Sequence, residues 1–168
     1  MKGPVCNFCL RTGILCQKCQ SLIDSGEITN LDINVAMELT ALEQKHPALK
    51  DITFYRAVEV GHLIVVLVGE RDLPVILGHR GRIIKTIEQN LKKRIRVIET
   101  SSSTKKLIED LLIPVEVAGI NEIYLPDGST VKKVRIRNFY RKKLPASVDT
   151  LEDVIWKLTD KPIRIVFE

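Results

Sequence analysis

Four cysteines within the first 19 residues constrain this 168-residue chain more than any other feature. They form two CxxC pairs, Cys6 with Cys9 and Cys16 with Cys19. Each pair can form a tight turn that directs both thiolates to one side, and two such turns supply the four-sulfur set that tetrahedral Zn²⁺ prefers. The segment also holds few apolar residues around which to fold without a metal. We therefore predict a structural zinc module over residues 1–30, with one Zn²⁺ bound by these four cysteines.

Two alternatives exist for the same cysteines. A disulfide framework tends to distribute its cysteines along the whole of a small fold. A thioredoxin-type redox site carries one CxxC pair, at the start of a helix that follows a strand. Two pairs close together favour the metal over either alternative.

Composition excludes several classes of protein. Hydrophobic residues make up 45% and charged residues 28% of the chain, the balance of a folded, soluble protein. No apolar run approaches the roughly 18–20 residues that cross a bilayer, and the N-terminus lacks the pattern of a signal peptide. We therefore expect a cytoplasmic protein with no membrane partner. The net charge of +5 indicates a polyanionic partner only where cations cluster, and 5% aromatic residues argue against a base-stacking platform.

Apolar spacing and turn residues predict a regular order of elements over residues 35–100. The order is helix, strand, strand, helix, helix, strand. Asp72 is expected to cap the second helix, with Pro74 in its first turn. The predicted bounds are a connector over 21–34, a helix over 35–46, strands over 52–60 and 63–68, a short helix after residue 72, a helix over 83–91 and a strand over 95–98.

The segment Gly78-His79-Arg80-Gly81 separates the last two helices. A glycine at each end accepts backbone angles that a β-carbon disfavours and removes bulk, so that a sugar–phosphate backbone can come close. Free amides at the start of the following helix favour a phosphate there. With Ile-Leu before it and Arg-Ile-Ile after it, this arrangement resembles a type II KH domain. The resemblance implies a loop that holds about four nucleotides of single-stranded RNA, with the bases in an aliphatic groove.

The KH resemblance assigns RNA-binding positions to the loop and its neighbours. Cations cluster around the same loop, although a solvated basic face is the plain alternative. For any one aliphatic residue, a place in the core is more frequent than a base contact. The groove candidates are Ile76, Leu77, Ile83, Ile84 and Val97. The predicted RNA-binding residues are Leu77, Gly78, His79, Arg80, Gly81, Arg82, Ile83, Lys85 and Arg96.

Residues 103–168 repeat this unit in weakened form. Thr86-Ile87-Glu88 recurs as Thr150-Leu151-Glu152, and each is followed by a strand rich in isoleucine and valine. Helices are predicted over 104–112 and 150–158, and strands over 114–125, 131–137 and 163–167. We expect a degenerate KH-like unit without the GxxG clamp, or else a small α+β domain that only packs on the first unit. Cations that could follow an RNA backbone form a secondary basic surface of Lys132, Lys133, Arg135, Arg137, Arg141, Lys142 and Lys143.

The predicted fold class is α+β: a small four-cysteine zinc module, a type II KH domain and a degenerate KH-like unit. This order of modules is similar to that of the archaeal NusA-like transcription factors. The resemblance implies a non-catalytic protein that binds nascent RNA beside RNA polymerase and takes no small-molecule substrate. A P-loop is absent, and no catalytic triad can be argued from spacing. The alternatives are a ribosome-associated or ribosome-assembly protein, and a protein-interaction adaptor whose KH fold is a passive scaffold.

Overall fold

The computed structural model describes residues 1–101 and 103–168. These residues divide into two compact units, Met1–Thr100 and Ser101–Glu168. Each unit contains one three-stranded sheet, and a four-cysteine cluster lies at the N-terminus of the first. The α+β class, with a cysteine module and two KH-like units, agrees with the sequence-based prediction.

The first unit follows the predicted order of helix, strand, strand, helix, helix, strand after its cysteine segment. β1 and β2 are antiparallel, whereas β2 and β3 are parallel, which places β2 at the centre of the sheet. The elements are α1 (Asn7–Thr12), α2 (Gln17–Asp24), α3 (Asn30–Leu42), β1 (Phe54–Val60), β2 (Leu63–Val68), α4 (Leu73–Leu77), α5 (Arg82–Leu91) and β3 (Arg94–Glu99). Short 3₁₀ turns lie at Pro47–Asp51 and His79–Gly81.

The predicted connector over residues 21–34 is wrong, because two helices occupy most of it. The apolar face of α2, formed by Cys19, Leu22 and Ile23, is too short to mark a helix in sequence by its periodicity. α3 begins at Asn30 because Thr29 and Asp32 form a capping box. The Asp32 amide donates to Thr29 Oγ1 at 3.2 Å, and the Thr29 amide donates to Asp32 Oδ2 at 2.8 Å. The same helix ends at Leu42, several residues before the predicted end.

Asp32 also joins α3 to the sheet. Its second carboxylate oxygen accepts a 2.6 Å hydrogen bond from the Ala57 amide of β1, and the residue is only 4% exposed. A buried carboxylate is stable only when hydrogen bonds replace its hydration. The bond from the Ala57 amide therefore ties the start of α3 to β1.

Asp72 does not cap α4 as predicted. Its backbone already has helical angles, φ −85° and ψ −16°, and its side chain makes no capping bond. Asp72 Oδ2 instead accepts from the Thr53 amide at 2.9 Å, and Glu99 Oε1 accepts from the first helical amide, that of Leu73, at 3.3 Å. Pro74 lies in the first turn, as expected.

The cysteine segment shares its core with the KH-like segment. Val5, Cys9 and Leu10 are buried in the same cluster as Val35 and Leu39 of α3. The folding of residues before 30 is therefore coupled by apolar burial to that of the unit behind them.

The second unit repeats the topology of the first. β4 and β5 are antiparallel, β5 and β6 are parallel, and β5 is central. β4 starts three residues after its predicted position because Leu112 and Val115 form a turn through a 2.8 Å backbone bond. The elements are α6 (Thr104–Leu112), β4 (Val117–Tyr124), β5 (Thr130–Ile136), a 3₁₀ turn at Asn138–Lys143, α7 (Val148–Thr159) and β6 (Ile163–Phe167).

One hydrogen bond marks the repeat in both units. Glu88 Oε1 on α5 accepts from the Ile95 amide of β3 at 2.8 Å, and Glu152 Oε1 on α7 accepts from the Ile165 amide of β6 at 2.8 Å. The repeated sequence, Thr86-Ile87-Glu88 and Thr150-Leu151-Glu152, therefore forms the same contact between helix and strand in both units.

Candidate nucleic-acid interface and metal centre

The Gly78–Gly81 loop begins where α4 ends. Gly78 adopts φ 63° and ψ −167°, a conformation that is nearly exclusive to glycine. A β-carbon there would lie 2.9 Å from Ile83 Cδ1. Gly78 is therefore required both by its backbone angles and by the isoleucine packed beneath it.

The remainder of the loop turns the chain toward solvent. Arg80 and Gly81 both lie in the left-handed region, at φ 55° and φ 70°. A β-carbon added at Gly81 would meet no atom within 4 Å from described residues beyond its chain neighbours and the adjacent helix backbone. His79 and Arg80 are exposed. The loop therefore presents the imidazole of His79 and the guanidinium of Arg80 beside main chain that is open at Gly81.

α5 starts directly after this loop. Gly81 occupies its N-cap position, and no side chain in residues 1–101 or 103–168 makes a capping bond there. The first-turn amides and the helix dipole therefore favour a negative group at this end. Arg82 and Lys85 are exposed on the first turns of the same helix.

The positive surface continues to the far end of α5. An open groove of about 460 Å³ lies there, and most of its charged side chains are basic. Arg96, on β3, is partly buried, and burial followed by the nearby Arg94 charge lowers the pKa of its guanidinium. The lining residues of the groove are His62, Lys85, Glu88, Gln89, Lys92, Lys93 and Arg94.

The predicted aliphatic groove residues have different positions in the structure. Leu77 is 37% exposed at the end of α4. The side chains of Ile76, Ile83, Ile84 and Val97 are buried in the core of the first unit. All five predicted groove residues lie in the described part of the chain. Of these five, Leu77 is the one that presents a large apolar surface beside the loop.

The four cysteine sulfurs converge, as the paired CxxC motifs predict. All four Sγ atoms lie within 4.8 Å of one another, and none forms a disulfide. Cys6 Sγ is 3.3 Å from Cys9 Sγ and 3.9 Å from Cys16 Sγ. Tetrahedral zinc with Zn–S bonds of about 2.3 Å separates its sulfurs by about 3.8 Å, so the cluster fits a metal ion of this kind.

Backbone amides reach every sulfur of the cluster. The Cys9 amide lowers the pKa of Cys6, and the Cys19 amide lowers the pKa of Cys16 to about 6. The Cys16 amide also lowers the pKa of Cys9, but burial and the adjacent sulfurs outweigh it and raise that pKa to about 12. The Cys6 amide opposes burial at Cys19 in the same way, and the net pKa there is raised. Such amides offset thiolate charge in a four-sulfur metal centre.

Two helical turns hold these cysteines in place. α1 carries Cys9 and is capped at its C-terminus by Gly13, whose φ of 73° turns the chain toward Cys16. Cys16 then caps α2, because its sulfur accepts from the Cys19 amide at 3.5 Å. Cys9 and Cys19 are buried, whereas Cys6 reaches the surface.

The secondary basic surface of the second unit is not one face. Lys132 shares the sheet face of Val134, whereas Lys133 and Arg135 lie on the opposite face, because side chains alternate along β5. Lys132 is 3.9 Å from Glu122, and Arg135 is 3.6 Å from Glu168. The exposed members of the set follow β5 and are Arg137, Arg141, Lys142 and Lys143.

Sequence reasoning missed two residues that shape these surfaces. Asp32 fell inside the predicted connector, although the spacing Thr29-x-x-Asp32 is a capping-box signal. Phe139 was passed over because aromatic residues are scarce, yet its side chain is 61% exposed among cations. The sequence Phe139-Tyr140-Arg141, in which two aromatic residues adjoin a cation, could have indicated this surface.

Within the described residues, no helix is both long enough and apolar enough to cross a bilayer.

Comparison with known proteins gives a partial answer. No family model matches the chain. The chain is similar to small ribosomal subunit protein eS7 of Manduca sexta and of Spodoptera frugiperda, at 29% identity over 103 residues in each case. The match covers 61% of this chain and 52% of either relative, so the chain spans about half the length of these curated relatives.

A solved structure resembles the fold. The crystal structure of APE1850 aligns with a TM-score of 0.58 and 20% identity, over 78% of this chain and 95% of that one. At this identity the likeness shows a shared fold alone.

Proposed function

We propose that this chain is a non-catalytic RNA-binding protein that holds single-stranded RNA at the Gly78–Gly81 loop and acts in association with the ribosome. The loop geometry carries the proposal. It combines positive-φ main chain, an open side at Gly81 and exposed His79 and Arg80 at the start of α5.

RNA binding at this loop would proceed through the phosphate backbone. A phosphate beside Gly81 meets the amides of the first turn of α5 and the Arg80 guanidinium. Arg82 and Lys85 extend the positive surface for the next phosphates. Leu77 is the exposed apolar side chain on which a base would lie, with Ile83 supporting the loop from the core.

The similarity to a small ribosomal subunit protein supports ribosome association. A second candidate is a NusA-like transcription factor, favoured by a cysteine cluster followed by two KH-like units. The comparisons give no support to RNA polymerase as the partner. Sedimentation of the tagged protein from cell extract separates the candidates: the ribosomal candidate predicts co-migration with the small subunit, and the transcriptional one predicts co-purification with polymerase.

We infer that the cysteine cluster holds one structural Zn²⁺. Cys6, Cys9, Cys16 and Cys19 would be its ligands, and the metal would supply cross-links between α1 and α2. No reaction is assigned to this centre, because four thiolates fill a tetrahedral coordination shell.

Fluorescence anisotropy with short unstructured RNA across a salt series tests the loop. The variant His79→Asp with Arg80→Asp should weaken binding about 10- to 150-fold, the range for losing one charge-assisted contact to phosphate. The salt dependence should also become shallower, by about 0.7 in log–log slope for each phosphate contact that is lost.

A control variant separates loop contacts from overall charge. Gln44→Asp with Lys45→Asp changes the net charge by the same −3, at exposed positions elsewhere in the first unit. This control should retain most of the affinity. An equal loss of RNA affinity in the two variants would show a general electrostatic effect rather than a specific contact at the loop. Unchanged affinity in the loop variant would move RNA binding from the loop to the basic second unit. No RNA binding by either protein would favour a protein-interaction adaptor.

A further inference from the structure

An exposed aromatic side chain lies within the most basic segment of the second unit. The 3₁₀ turn Asn138–Lys143 carries Phe139, which is 61% exposed. Four exposed cations flank it within residues 137–143, and that stretch contains no acidic residue. A single exposed aromatic residue is ordinary on a protein surface, so the cations around Phe139, rather than its exposure alone, point to a ligand.

The neighbouring aromatic residue packs against this ring. The Phe139 and Tyr140 rings stack with centroids 4.1 Å apart and planes tilted by 34°. Tyr140 is itself partly buried, and its phenol lies against Glu116. One face of Phe139 is thus backed by Tyr140, which leaves the other face toward solvent.

Two further contacts tie the turn to the sheet. The Asn138 amide donates to the Glu168 carbonyl at 2.8 Å, which extends the pairing beyond β6. The Arg141 guanidinium lies over the Phe167 ring, 5.0 Å from its centroid. A side chain on such a turn loses little freedom when it binds, so more of its contact energy is retained.

The position of the turn matters as much as its composition. It connects β5 to α7, as the Gly78–Gly81 loop and α4 connect β2 to α5 in the first unit. The second unit therefore has a basic-aromatic turn in the connection where the first has its glycine loop.

We propose that the second unit contains its own site for single-stranded nucleic acid, in which a base stacks on Phe139 and phosphates are neutralised by Arg137 and Lys142. The exposed cations of residues 137–143 are complementary to a polyanion. The planar ring of Phe139 favours a polyanion with bases, because a base can stack on it. The choice of RNA over DNA rests on the function proposed above, but the site does not require the glycine loop.

The test uses the full chain carrying His79→Asp and Arg80→Asp, so that the first site is disabled. Two fluorescent probes are compared: an eight-nucleotide oligouridine, and an abasic ribose-phosphate oligomer of the same length. Phe139→Ala should weaken oligouridine binding about 5- to 150-fold, the range for loss of one base–aromatic stack. Binding of the abasic oligomer should be unchanged. Phe139→Trp should restore the oligouridine affinity.

Tyr124→Ala is the matched control. Tyr124 is an aromatic residue of the same unit that is 76% exposed, in a stretch without cations on either side from 121 to 130. This variant should bind both probes like its parent. Circular dichroism of each variant verifies that the fold is retained.

Three outcomes would overturn the proposal: no oligouridine binding once the glycine loop is disabled, equal affinity with and without Phe139, or equal losses on both probes. A glutamate-rich peptide that binds with the same dependence on Phe139 would reassign the site to acidic protein segments. Failure of the glycine-loop proposal is seen separately, as full affinity in the His79→Asp, Arg80→Asp parent.

Discussion

The two loop glycines should respond differently to the same substitution, because their surroundings differ. At Gly78 an added β-carbon meets both an angular and a steric penalty. The φ 63°, ψ −167° region costs a non-glycine residue about 1–3 kcal/mol. The 2.9 Å approach to Ile83 Cδ1 adds an overpacking cost of about 1–3 kcal/mol, since Ile83 is buried and cannot move freely. We expect Gly78→Ala to lower the free energy of unfolding by about 3 kcal/mol.

At Gly81 only the angular penalty applies. Its φ of 70° and ψ of 22° cost alanine about 1–2 kcal/mol. A reduced entropy of the unfolded chain offsets about 0.4–1 kcal/mol of that cost. Gly81→Ala should therefore lower the free energy of unfolding by about 1 kcal/mol or less, yet it should weaken RNA binding because the added methyl group occupies the open side of the loop.

Urea denaturation followed by circular dichroism measures both variants, and RNA anisotropy at low temperature measures binding while they remain folded. Gly61→Ala is the reference, since Gly61 also has positive φ, 60°, and open space in place of a β-carbon. Equal destabilisation at 78 and 81 would refute the packing argument. A Gly81→Ala protein with full RNA affinity would refute the argument that phosphate approaches this side.

Three further predictions concern stability. Asp32→Ala leaves the Ala57 amide unpaired and removes the capping box, so the free energy of unfolding should fall by about 2–4 kcal/mol; an exposed Asp51→Ala should change it little by the same urea assay. Cys9→Ser should reduce the zinc content, measured by mass spectrometry of the metal, below one per chain, and a full equivalent of tightly held zinc would rule out the four-thiolate centre. Chelation of the metal from the native protein should lower the melting temperature of the first unit, because a metal at one hundred times its dissociation constant contributes about 2.7 kcal/mol; an unchanged melting curve would show that the shared core folds without the metal.

Much of the fold was predictable because its elements carry strong local signals. The Leu63–Val68 run and the apolar spacing of Ile83, Ile84 and Ile87 have the periods of a strand and a helix, and the structure places both close to the predicted bounds. The convergence of the cysteines followed from ligand chemistry alone.

What sequence could not provide were contacts between distant residues. Asp32 accepts a hydrogen bond from an amide 25 positions away. The Asp72 carboxylate accepts from the Thr53 amide, 19 positions away, and does not cap its own helix. The helix α2 is not predicted because its apolar face, formed by Cys19, Leu22 and Ile23, spans little more than one turn. Burial of Ile83 beneath Gly78, which decides its role at the loop, likewise depends on how the helices pack.

The paired bonds of Glu88 and Glu152 have a consequence for how such a chain can diversify. In each unit a single carboxylate fastens the helix to the last strand, and neither bond involves the segment that precedes the helix. The sequence of that segment can therefore differ between the units while this helix-to-strand contact is kept, as the contrast between residues 69–81 and residues 137–147 illustrates. A duplicated unit of this design can acquire a different ligand surface by rewriting one connection while its scaffold is left intact.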